Sequence, residues 1–132
     1  MTRLYCPLTT DDVETLAAGA LGVTGAYAVT PDVRALAPDG DDELHEHLAT
    51  QFAAASVTGP RVVVAAVDVP GERVRADDGA PVPGRVTLDG DITVRDVACF
   101  LVGDEGAQVS EDADLELSWY DASEIDAVRA LV

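Results

Sequence analysis

Two histidines, two cysteines, eight arginines and 25 carboxylates are the side chains of this sequence that could do chemistry. His45 and His47 stand two apart in a helical pattern, which turns them to nearly opposite sides, so they cannot chelate one metal together. Asp41 with His45, or Glu43 with His47, is one helical turn apart and could place two ligands on one face. No third ligand stands nearby, and an exposed helix face is the expectation. Asp112-Ala113-Asp114-Leu115-Glu116 opens like an oxygen-ligand loop for calcium, but Leu117 occupies the glycine position and Ser123 the terminal glutamate position. A strand with an acidic loop is expected there instead.

Cys6 ends a strand just before a helix, where backbone N–H groups can lower a thiol pKa, yet Asp11, Asp12 and Glu14 oppose that effect. Cys6 and Cys99 lie far apart in apolar surroundings, so both are expected to be buried, unbridged thiols. Ser56, Ser110, Ser118 and Ser123 lack the glycine-flanked elbow of a serine nucleophile. Gly19, Gly22 and Gly25 follow a helix instead of opening one, and do not make a dinucleotide fingerprint. The chain has no lysine, which excludes a Schiff-base lysine, pyridoxal-phosphate attachment and the lysine of a phosphate-binding loop. No catalytic constellation, metal site or cofactor is expected.

One anion site is conceivable. α/β geometry places a small-ligand site beyond the carboxyl ends of parallel strands, here near Thr9, Thr30, Arg34 and the start of a long helix. Arg34, at a helix start, would hold a carboxylate or phosphate with its guanidinium. The competing expectation pairs Arg34 with Asp32 or Asp39.

The elements that must position these residues follow from periodicity and punctuation. Leu4–Cys6 reads as a strand, and a first helix follows with Asp11 and Glu14 as capping box and Gly22 at its end. Gly25–Val29 is a second strand, and Thr30-Pro31 starts a helix with threonine as cap. Asp41 to about Val57 is the longest helix, with Leu44, Leu48, Phe52 and Ala55 in register. Arg61–Val67 lacks polar alternation and is expected to be central, covered on both faces.

Residues 70–83, including Asp77-Asp78-Gly79, read as a loop with Arg73–Arg75 pairing at an edge. Arg85–Leu88 and Val97–Val102 are strands, and the polar stretch from Gly103 to Asp112 has room for one helical turn. The alternation from Leu115 to Tyr120 describes a half-buried strand with Trp119 in the core. Asp121 and Glu124 cap a last helix. The sum is one α/β domain over 1–132, a single mixed β-sheet packed with about three helices in the order β-α-β-α-β-β-β-α. Its first three strands are expected to be parallel through right-handed crossovers.

The chain carries a net charge of −17, spread unevenly. Residues 1–60 hold nine acids and two Arg, residues 61–95 six acids and five Arg, and residues 96–132 ten acids and one Arg. Such a field repels phosphate backbones, so no direct nucleic-acid binding is expected; it would attract a cationic partner or metal, against the competing expectation of a solvated surface tuned for solubility. No stretch has the length and apolarity of a membrane span, and the first residues lack the pattern of a secretory signal, which together favour a cytoplasmic protein. The absence of lysine and asparagine fits a GC-rich genome.

At Ala26-Tyr27-Ala28-Val29-Thr30-Pro31 with Arg34, then Asp41-Asp42-Glu43-Leu44, and finally Leu117-Ser118-Trp119-Tyr120 with Glu124, the chain resembles an uncharacterised actinobacterial family, a domain of unknown function. The resemblance covers most of the chain and implies no activity. Aromatic residues usual in that family soon after the arginine are replaced here by Ala35 and Leu36, which works against ligand stacking at that point. The functional expectation is a noncatalytic accessory or protein-interaction module with an acidic surface. Its alternative is a small metabolite-binding protein or enzyme with an anion site near Arg34. Edge strands would support a homodimer, although no symmetric motif specifies one.

Overall fold

The computed structural model describes residues 1–132 apart from Thr24, Thr58, Asp78 and Glu111. Its sheet is organised around the most apolar stretch of the chain. β4 (Val63–Val69) lies between β1 (Thr2–Leu8) and β8 (Val97–Val102). Beyond β1 come β3 (Ala26–Tyr27), β6 (Arg85–Leu88) and β5 (Val74–Ala76). Beyond β8 comes only β9 (Ser118–Asp121), which gives a seven-stranded sheet in the order β5-β6-β3-β1-β4-β8-β9. The short strands β2 (Ala20–Gly22) and β7 (Asp91–Thr93), absent from the sequence reading, form a separate two-stranded ribbon.

Four helices complete the α/β fold. α1 (Thr10–Ala18) and α4 (Ile125–Leu131) bury Val13, Leu16 and Val128 against Leu4, Cys6, Val67 and Phe100 on one face of the sheet. α3 (Asp42–Ala55) covers the other face over Tyr5, Tyr27, Val64 and Ala66. The six-residue α2 (Pro31–Leu36) leads into α3 and packs on it. β4 is therefore buried on both sides, as its unbroken apolar run requires.

Every ladder among the described residues is antiparallel. The parallel pairing expected of the first three strands is not formed. β3 and β4 run the same way and are joined through α2 and α3, but β1 lies between them. Seven-residue β1 spans about 23 Å and nine-residue α1 only about 14 Å, so α1 alone is too short to return the chain to the start of β1 for a parallel strand.

α3 also presents a different stripe from the one expected. Leu44 is exposed and Leu48 and Phe52 are half-buried, while Ala49, Ala53 and Ala54 face the sheet. Small residues belong there because the sheet supplies the bulk, in Tyr5 and Tyr27. On β8 a one-residue bulge near Ala98 switches side-chain parity, so that Val97 and Phe100 face α1 and α4 while Cys99 faces the α3 side.

Caps follow the sequence closely at two helix starts. Thr30 and the Asp121–Glu124 box behave as read, and Asp41, read only as the start of the long helix, caps it by accepting the Leu44 N–H. α1 is capped two residues earlier, by a reciprocal box of Thr9 and Asp12 instead of Asp11 and Glu14. Gly84 is fixed by geometry: φ is +86°, and a Cβ there would come within 3.0 Å of the Ala28 carbonyl and of Val33. The segment from Gly103 to Asp112 forms no helix among its described residues, and of the Asp77-Asp78-Gly79 turn, Asp78 lies outside them.

Candidate functional site

Thr9, Thr30 and Arg34 are not gathered around one cavity. Thr9 follows the carboxyl end of β1, where its hydroxyl accepts the Asp12 N–H at 3.1 Å. Thr30 accepts the Val33 N–H at 3.4 Å and borders a separate cavity with Asp77 and Arg85. Arg34 lines a different cleft at the opposite end of β1, with Arg3, Tyr5, Asp42 and Glu46. Antiparallel strands are the cause, because alternate strands bring their carboxyl ends to opposite edges of the sheet.

The Arg34 cleft has a volume of about 320 Å³. Tyr5 lies in its floor, 5% exposed, and burial raises its hydroxyl pKa, with Glu46 adding to the rise. Arg3 is committed by a two-pronged pair with Asp68, at 2.6 and 2.9 Å. That pairing raises the guanidinium and holds the Asp68 carboxyl below its usual range. Arg34 makes no ion pair and no side-chain hydrogen bond among the described residues, so pairing with Asp32 or Asp39 is not formed.

A second region stands out at the β9 edge. Sequence alternation placed Trp119 in the core, yet it is 61% exposed. Leu101 pairs with Trp119 across β8 and β9, which puts both on the α3 side of the sheet. α3 packs chiefly over β3, β1 and β4. Trp119 is the chain's single tryptophan, and its uncovered area amounts to about 2–4 kcal/mol of unused apolar burial.

α3 does reach the lead-in to β9. The buried Gln51 amide accepts the Leu115 N–H and donates to the Leu115 carbonyl, both at 2.9 Å, acting as a one-residue strand partner. His47 contacts Asp114 at 2.6 Å. Between α3 and this segment runs a groove of about 350 Å³ lined by Thr50, Leu101 and Leu117. Glu116, Asp121 and Glu124 form no ion pair among the described residues, and Ser123 keeps the Asp121 carboxyl below its ordinary range by donating from its hydroxyl and N–H. Neither Gln51 nor the His47 contact carried a sequence signal, since each partner lies more than sixty residues away.

His45 corrects the exposed-face reading of the histidines. It is buried and its Nε2 lies 2.8 Å from the Ala37 carbonyl, tying α3 to the end of α2. Among the described residues no group of three or more His, Cys, Asp or Glu is placed to hold a metal ion. Cys6 and Cys99 are free and buried on opposite faces of the sheet. Burial pushes the Cys6 thiol up to about 12, and it raises Cys99 as well, against lowering by Arg3 and the Trp119 indole N–H. Neither thiol is a ready nucleophile at neutral pH.

No described helix is long and apolar enough to cross a membrane. A family model described as a family of unknown function, DUF6912, matches residues 2–128. No curated protein and no solved structure matches the chain.

Proposed function

For a chain that belongs to this family of unknown function, we propose a role as a noncatalytic accessory module whose acidic surface receives a basic protein partner. The observation that carries this reading is the exposure of Trp119 on an outer strand, beside Glu116, Asp121 and Glu124, which form no ion pair among the described residues. Arg129, the single arginine of residues 96–132, is already held by Glu14 and Asp126. A cationic surface would gain both long-range attraction and an aromatic contact.

Capture of a defined partner from native extract tests it, with wild-type protein compared against a double variant, Glu116→Gln with Glu124→Gln. The expected result is one specific basic partner, released by salt and weakened by the variant. Recovery of no specific partner at low or high salt would refute the reading. The absence of lysine and asparagine supports an actinobacterial source, and two free, buried thiols fit a cytoplasmic protein.

One observation favours a second reading, a small metabolite-binding protein. Arg34 stands without an ion partner in a cleft that also presents Tyr5 and Glu46. Arg34 would anchor a carboxylate or phosphate, Thr30 would act by fixing the start of α2, and Thr9 would hold α1 at the far end of β1. Thermal-shift screening against nucleotides and carboxylate metabolites decides it. A saturable shift that Arg34→Ala abolishes supports this reading, and an unchanged response in the variant removes Arg34 as the anchor.

A further inference from the structure

We propose that β9 accepts an extended cationic segment of a partner protein as an additional strand, with an arginine or lysine of that segment lying on the Trp119 indole. The inference rests on the acidic-surface reading above and specifies how that surface is used.

Among the described residues β9 is the outermost strand on its side of the sheet and pairs only with β8. The Asp121 N–H points away from β8, since Glu124 accepts it at 2.9 Å. Antiparallel alternation then turns the N–H and C=O of Trp119, two residues earlier, to the same open side. Trp119 thus offers two backbone hydrogen bonds at the edge and an exposed ring on the α3 side of the sheet. A segment paired to it would place alternate side chains on that side, over the ring and toward the groove lined by Leu101 and Leu117.

Charge selects the occupant. Glu116, Asp121 and Glu124 flank the edge without cationic partners among the described residues, which favours arginine or lysine in the incoming strand. A second copy of the chain is disfavoured, because each carries a net charge of −17 and pairing of β9 with itself would bring these carboxylates together. The opposite edge differs in chemistry: β5 presents Arg75, already paired with Asp89 at 2.8 Å.

The test uses the full chain and Trp119 fluorescence, with an end-capped peptide of alternating arginine and valine as probe. A second peptide of the same sequence carries N-methyl groups on alternate backbone nitrogens of the edge that would pair, and so keeps its charge but cannot add as a strand. The proposal expects saturable binding of the first peptide and binding about tenfold weaker, or none, of the second. Equal binding of both peptides would overturn strand addition while leaving the acidic-surface reading in place. Binding of neither would overturn both. Sedimentation at increasing protein concentration supplies the remaining arm: self-association through β9, lost on Trp119→Arg in an otherwise folded protein, would make a second copy the occupant and overturn the proposal.

Discussion

β4 and β9 lie two places apart in one sheet and differ in what surrounds them. β4 has a neighbour on each side and a helix layer over each face, and every residue but Asp68 is buried. β9 has one neighbour, leaves Trp119 in the open and is bordered by acids. An apolar side chain in a strand is therefore not buried by its own character. It is buried when a neighbouring strand and a covering helix both reach it, and where they do not, apolar area is left for something else to cover.

The largest loss of stability is expected at the centre. Phe100, on β8 next to β4, is fully buried, and Phe100→Ala should cost about 3–5 kcal/mol in urea unfolding, a large share of the ~5–15 kcal/mol typical of a domain. A loss as small as that of a surface substitution would mean the two regions are not energetically distinct. Gln51→Ala removes the clamp that connects the covered face to the edge. It should cost about 1–3 kcal/mol by leaving the Leu115 N–H and C=O without partners, with faster amide exchange at Leu115 as its local signature.

The Arg3–Asp68 pair gives a smaller, pH-dependent effect. Asp68 titrates below its usual range when folded, so its contribution is present above the ordinary carboxylate pKa and is lost as pH falls through that range toward the lower folded value. Because both side chains are partly exposed, the contribution should stay below about 1 kcal/mol. Unfolding of wild type and Asp68→Asn should converge in acid and separate at neutral pH. Trp119→Ala should change stability least, within about 0.5 kcal/mol, while weakening capture of a cationic partner. A destabilisation comparable to that of Phe100→Ala would place Trp119 in the folding core after all.

The centre was legible in the sequence and the edge was not, for physical reasons visible at particular residues. The unbroken run after Arg61 can be satisfied only by cover on both faces, so β4 announced itself. Thr30 acts on an N–H three residues away and Glu124 on the Asp121 N–H, and local spacing was enough to find both. Alternation around Trp119 correctly separates it from Tyr120, but alternation says which residues share a face and nothing about whether α3 extends over that face. Thr9 and Arg34 follow the same rule. Each was recognised as lying at a strand-to-helix junction, whereas strand direction, which sets them at opposite ends of β1, depends on pairings made far along the chain.

The Trp119 amide reports most directly whether β9 is an open edge. Hydrogen exchange of the free protein should show this N–H exchanging quickly and those of β4 slowly. Adding the alternating arginine–valine peptide should slow exchange at Trp119 and leave β4 unchanged. Saturable peptide binding with no added protection at Trp119, or a Trp119 amide already as protected as those of β4 in the free protein, would contradict the claim that β9 is an open edge built to be filled.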